Sequence, residues 1–200
     1  MASSFNLKHQ NKNIDSKIVV SLERISEAFR VLLWEESKEH SLSPIQVQIL
    51  IFLLCHSRDK GTISYLANEF NMTKATISDS VKVLLNKGLV EKSFEGSDSR
   101  SFIILLTPSG QAIAKKTSLF AGKLEKPLAN LTQAQKEIML NGLLNLIYEL
   151  NQGGIITLQR MCFTCDHYRH QKGGHYCNLI QAQLRNEELR VDCPEHELKQ

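Results

Sequence analysis

The chain has 200 residues, of which 42% are hydrophobic, enough for a packed core and against global disorder. Its formal net charge of +3 is too small to declare a polyanionic partner by itself, although the excess is uneven: residues 1–152 carry 18 Lys/Arg against 15 Asp/Glu, and residues 153–200 carry six of each. The N-terminus, MASSFNLKHQNKN, is polar and does not read as a signal peptide, and no apolar run approaches the roughly 18 residues of a membrane span, so a cytoplasmic protein without a membrane partner is expected.

From Asp15, read as a helix cap, the positions Ile18, Leu22, Ile25, Phe29 and Leu32 recur at steps of 4-3-4-3, a heptad-like stripe on one helical face. Such a stripe serves either a core or a subunit interface. Ser43-Pro44-Ile45-Gln46 combines a cap, a first-turn proline and the capping-box glutamine, and predicts an almost wholly apolar, buried helix to about Cys55. Cys55, alone in the run ILIFLLC, is expected in the core. After the polar break HSRDKG, Ile63, Leu66, Ala67 and Phe70 mark one short helix. Asn71-Met72 then makes a turn, and Thr73 caps a second helix with its buried face at Ile77, Val81, Leu84 and Leu85. Gly88 is placed to end it.

The helical pattern then stops. LVEKSF and SFIILL read as two strands around the turn-rich segment EGSDSR, a β-hairpin with a long polar tip. Thr107-Pro108 opens a helix expected to reach about Ala129, and Thr132-x-x-Gln135 is a second capping box, opening a helix with Met139, Leu143, Leu146 and Leu150 in a 4-3-4 spacing. NQGG at 151–154 is the clearest linker. The expected organisation is an N-terminal dimerisation helix at 1–40, a winged helix-turn-helix core at 41–107, C-terminal dimerisation helices at 108–152 and a Cys-rich metal-binding module at 153–200. The fold class is mainly α with a small β-hairpin wing.

Two short helices joined by a tight turn and followed at once by a hairpin have a mechanical use: the first buttresses the second, which fits a DNA major groove about 12 Å wide. On the outer face of the second lie Lys74, Ala75, Thr76, Ser78, Asp79 and Lys82. Thr76 and Ser78 can bond base edges or phosphates, and Ala75 can meet a thymine methyl. Asp79 can accept from a cytosine amino group or pair with a neighbouring lysine, and Lys74 and Lys82 suit phosphate oxygens. In the hairpin tip, Arg100 stands two positions after Asp98. An arginine there can enter a narrow minor groove, with the aspartate holding its guanidinium.

From Leu42 to Gly110 the text runs LSPIQVQILIFL, then ISYLANEFNMTKATISDSVKVLLNKGLVEKSF, then DSRSFIILLTPSG. In its order of helix, helix, recognition helix, GLV strand, D-x-R wing and LTPSG turn, this stretch resembles the MarR family of winged helix-turn-helix regulators. The resemblance implies a homodimer, formed by the N- and C-terminal helices, on a palindromic operator in double-stranded DNA. It also implies a repressor released by a small molecule or by oxidation. Two features depart from the family pattern. Asp79 stands where many relatives carry a basic residue, so base preference does not carry over, and the cysteine-rich tail lies outside the usual family domain.

That tail contains four of the five cysteines, Cys162, Cys165, Cys177 and Cys193, spaced C-x2-C-x11-C-x15-C. In a reducing compartment such clustering argues for a metal before disulfides. Four thiolates suit tetrahedral zinc, the expected cofactor, and equally an iron–sulfur cluster, the alternative. His167, His170, His175 and His196 are further ligand candidates. A segment this small holds little apolar core, so a metal would supply much of its folding free energy. The competing reading is a redox or electron-transfer protein centred on an iron–sulfur cluster. No nucleophile elbow, phosphate loop or His-Glu zinc motif supports an enzyme.

Overall fold

Side-chain caps start most of the helices, and most of these caps lie where the sequence places them. The computed structural model describes residues 3–94, 102–171 and 174–199. A single turn, α1 (Leu7–Gln10), precedes the long α2 (Ile14–Glu39). Its cap is Asn13 rather than Asp15: Asn13 has extended backbone and accepts from the Ser16 N–H at 2.8 Å, whereas Asp15 sits in the first turn, where its charge complements the helix dipole. In α3 (Pro44–Cys55) the capping box closes reciprocally, Ser43 Oγ accepting from Gln46 N and Gln46 Oε1 from Ser43 N. Thr62 caps α4 (Ile63–Glu69) and Thr73 caps α5 (Lys74–Asn86), with Asn71 taking the left-handed conformation in the turn between them (φ 52°). Gly88 (φ 66°) ends α5 in a Schellman arrangement, in which the Leu89 N–H donates to Leu84 O and the Gly88 N–H to Leu85 O.

The hairpin follows: β1 (Val90–Ser93) runs antiparallel to β2 (Ile103–Leu106), with Val90 opposite Leu106 and Ser93 opposite Ile103. The segment expected to be one helix to Ala129 is broken into α6 (Pro108–Thr117), a 3₁₀ turn at Ser118–Ala121 and α7 (Gly122–Leu128). Hydroxyls cause part of this. Thr117 Oγ1 donates to Ile113 O and Ser118 Oγ to Lys115 O, competing with the backbone ladder where the helix tightens. α8 (Gln133–Gln152) opens on the Thr132–Gln135 box. In the tail, β3 (Tyr168–Gln171), β4 (Gly174–Cys177) and β5 (Ala182–Leu184) form an antiparallel sheet in that order.

Among the described residues there are two cores. The larger surrounds α3, whose Val47, Ile49 and Leu50 are fully buried against Leu66, Ile77, Leu84, Ile104 and Ala114. α5 meets it through Ile77, Ser80, Val81 and Leu84, with Leu85 only half-buried. Cys55 is not in this core; it is exposed, because it is the last residue of α3 and lies a turn beyond the buried Phe52. The smaller core joins α8 to the tail through Leu144, Met161, Cys165, Tyr168 and Leu189, backed by Leu140, Ile147 and Tyr148. The inward face of α8 is therefore Leu140-Leu144-Ile147-Tyr148, whereas the stripe read from the sequence, Met139-Leu143-Leu146-Leu150, is half-buried or exposed. On α2 the same holds: Ile18, Ile25 and Phe29 remain exposed, with Leu22 and Leu32 half-buried. Among the described residues no helix is long and apolar enough to cross a membrane.

Candidate nucleic-acid interface and cysteine cavity

α4 and α5 form the two-helix unit. Leu66 and Ala67 of α4 and Ile77 and Val81 of α5 meet in the main core, so the opposite side of α5 faces outward. On it Lys74, Ala75, Thr76, Ser78, Asp79 and Lys82 are all exposed. Among the described residues, three of these already have partners. The Thr76 hydroxyl shares a hydrogen bond with the Thr73 hydroxyl at 2.8 Å, and Asp79 lies 4.0 Å from the Lys82 ammonium. An exposed pair of this kind contributes little to stability and yields readily to a stronger partner. Lys92 of the hairpin stacks its ammonium 4.3 Å from the centre of the Phe102 ring. Asp98 and Arg100 lie outside the described residues.

The hairpin is held against the helices by backbone contacts. The Ile104 N–H donates to Gly61 O at 2.8 Å, and the Thr107 N–H to Leu89 O at 3.1 Å. Gly110, in the first turn of α6, rests on the Leu89 carbonyl so closely that a Cβ built on it would lie 1.9 Å from that oxygen. The glycine of LTPSG is thus required by the approach of helix to strand, not by its own torsions.

In the tail, all four cysteines, Cys162, Cys165, Cys177 and Cys193, line one cavity, and none is in a disulfide. Its remaining walls include Leu179, Ile180, Leu184 and Tyr168. Arg190 supplies two donors to sulfur: its backbone N–H points at Cys162 Sγ (3.2 Å) and its guanidinium at Cys193 Sγ (3.4 Å). Burial pushes the Cys162 thiol up, and its three cysteine neighbours add to this, while the Arg190 N–H pulls the other way. Among the described residues, no three His, Cys, Asp or Glu side chains are gathered as closely as one ion requires. Of the histidines, His167 lines the cavity. His175 is held by Tyr168 Oη and Asn186 Oδ1, and His196 Nε2 meets Thr164 Oγ1, so neither is turned to the sulfurs. His170 is exposed on β3.

The sequence reading missed the group that ties this cavity to the helix pair. Arg160 is only 7% exposed and is surrounded by acceptors. It makes two bonds to Glu69 at the end of α4 (2.5 and 3.1 Å), two to Asp192 (2.6 and 2.9 Å) and one to Tyr65 Oη (3.1 Å). His56, just past α3, places one ring nitrogen against Phe52 O and the other 2.8 Å from Asp192. Burial opposes the charges here, pushing the Asp192 carboxyl up and the Arg160 guanidinium down, but the hydrogen bonds and opposite charges outweigh it. Asp192 is held at about 2, and Arg160 is raised above its ordinary range. Arg160 belongs to no motif. Its one sequence signal is a position two residues before Cys162, as Asp192 immediately precedes Cys193.

The sequence model of the MarR family matches residues 40–101, a stretch that runs from just before α3 to just before β2. No curated protein matches in sequence. The fold is similar to that of a Staphylococcus aureus MepR–DNA complex, at 23% identity over 66% of this chain and 96% of that one, with a TM-score of 0.57. It is also similar to S. aureus MarR in complex with salicylate and kanamycin (21% identity, 70% and 93% covered, TM-score 0.59). A third likeness is to the transcriptional regulator PA3341 (23%, 68% and 98% covered, TM-score 0.58). The mostly helical chain with its small antiparallel hairpin therefore has the MarR-like winged helix-turn-helix fold.

Proposed function

We propose that this chain is a DNA-binding transcriptional regulator of the MarR type, acting as a homodimeric, cytoplasmic repressor on double-stranded DNA, with a four-cysteine metal centre in its tail. The observation that carries the DNA-binding part is α5, short, capped and buttressed by α4, with six candidate contact residues exposed on its outer side. The match of residues 40–101 to the MarR family and the likeness to a DNA complex support it. The solved relative with salicylate makes a small-molecule effector a reasonable expectation here too.

Thr76→Ala and Ser78→Ala are expected to change preference at particular base pairs by about 1–3 kcal/mol where a direct contact is lost. Arg100→Ala is expected to weaken binding to all duplexes and flatten its salt dependence, because a wing arginine meets mainly backbone and groove potential. Fluorescence anisotropy on selected and random duplexes, over a range of salt, separates the two. Equal losses on both DNAs for the helix variants would remove α5 from the reading role.

The second copy is argued from α2. Ile18, Ile25 and Phe29 lie on one side of a 26-residue helix and stay exposed, although the chain has apolar core enough without them. A second chain covering this side by two-fold symmetry would set two recognition helices about one DNA turn apart. Light scattering at micromolar concentration should return twice the mass of one chain, and Phe29→Asp should shift it toward one. A monomer mass for the unaltered protein would defeat the dimer.

The metal centre rests on the four cysteines lining one cavity, all free, with N–H donors aimed at two of the sulfurs. Such donors stabilise thiolate charge and suit zinc and iron–sulfur ligation alike.

A further inference from the structure

We infer that the four-cysteine cavity holds an iron–sulfur cluster rather than a single zinc ion, and that Arg160 makes the DNA-reading helices depend on it. The inference rests on the four-thiolate reading above and deepens it. Two observations favour a cluster. A lone tetrahedral zinc with sulfur at about 2.3 Å draws its ligands into a tight knot. Here the four sulfurs share one cavity, yet no three of them are gathered as one ion requires. The cavity between them is about 50 Å³, several times the roughly 10–15 Å³ that a single water needs, and room of that kind suits a multi-atom core. Its walls add to the argument. Leu179, Ile180 and Leu184 give it apolar sides, and Arg190 aims two N–H donors at the sulfurs, the hydrogen bonding by which a protein tunes a cluster.

The link to the helices is physical and short. The Cys193 N–H donates to the Arg160 carbonyl at 2.8 Å, and the Cys162 N–H to Arg190 O at 3.1 Å, so the two ligand-bearing strands of chain are tied to each other and to Arg160. The Arg160 side chain then grips Glu69 and Tyr65 of α4, while its partner Asp192 holds His56 at the end of α3. Thr157 Oγ1 adds a bond to the Asn68 carbonyl. α4 is the helix that buttresses α5, and at seven residues it has little stability of its own. With the cluster in place the tail is folded and the clamp is fixed. Without it the backbone around Arg160 is released, α4 loosens, and the recognition helix loses its support.

The test uses the full-length protein purified without oxygen. Iron and acid-labile sulfide should be bound, the protein should be coloured, and Cys177→Ser should lose both. Iron chelation of the unaltered protein and Cys177→Ser should each weaken binding to a selected duplex about ten-fold, a typical coupling between sites. Faster hydrogen exchange of the α4 amides should accompany this. Glu69→Ala should keep its iron and its base preference, but its affinity should no longer respond to chelation. Colourless protein with one zinc per chain overturns the cluster and leaves the four-thiolate reading intact. Cys177→Ser with full metal content overturns that reading as well. Bound iron whose removal leaves duplex affinity and α4 exchange unchanged, or raises the affinity, overturns the coupling, as does Glu69→Ala that still responds like the unaltered chain.

Discussion

Gly110→Ala is expected to remove about 3 kcal/mol or more of folding stability, at the upper end of the usual overpacking cost. The new methyl would stand 1.9 Å from Leu89 O and 2.9 Å from its carbonyl carbon, both backbone atoms that no side-chain rotation can clear. Leu89 O is also the acceptor for the Thr107 N–H, so moving it disturbs the junction between β1 and the start of α6. A domain of ordinary stability holds only about 5–15 kcal/mol, so the loss should be plain in a urea titration followed by helical circular dichroism. Gly142 supplies the contrast. It lies inside α8 with nothing within 4 Å of a built Cβ, so Gly142→Ala should be neutral or stabilising by up to roughly 1 kcal/mol, as for an unhindered helix position. Two identical substitutions should therefore part company: Gly110→Ala lowers the midpoint, while Gly142→Ala leaves it in place or raises it. A Gly110→Ala midpoint indistinguishable from the unaltered chain would show that α6 and β1 are not packed as described.

These two glycines illustrate what a sequence carries and what it does not. The caps at Ser43, Thr73, Thr107 and Thr132 were legible because the chemistry is local: a hydroxyl, an extended backbone and a donor three residues on. The same locality placed α4, the turn and α5, and made Gly88 readable as their end. Choices between competing local signals were less secure. Asn13 and Asp15 are both capping residues, and α8 carries apolar side chains on two overlapping stripes, of which only tertiary packing selects Leu140-Leu144-Ile147-Tyr148 for the inside. Cys55 continued an apolar run, but burial follows the three-dimensional end of the helix rather than the run. The four cysteines were found by spacing alone, and they do share one cavity. Arg160 was invisible because its partners Glu69 and Asp192 stand far away in sequence on either side, and no period or motif connects them. An arginine in a small tail ordinarily reads as a solvated surface charge.

That arginine gives the other large effect. Arg160→Met is expected to destabilise the chain by about 3 kcal/mol, near the lower end of the range for breaking a buried ion pair, because Glu69 would be left mostly buried without its cation while Asp192 can still reach water. Methionine fills much of the arginine stem, so the loss reports charge and hydrogen bonds more than volume. The cost lies in the stranded carboxylate, which sets the next expectation. Adding Glu69→Met to Arg160→Met should recover a substantial part of the loss, since removing both charges from a buried pair is far less costly than removing one. The measurement is a double-mutant cycle on urea midpoints, with Arg160→Met, Glu69→Met and the pair compared at fixed pH and salt. Strictly additive losses would mean that Arg160 and Glu69 do not act as a couple, and the clamp between the cysteine cavity and α4 would then have no energetic basis.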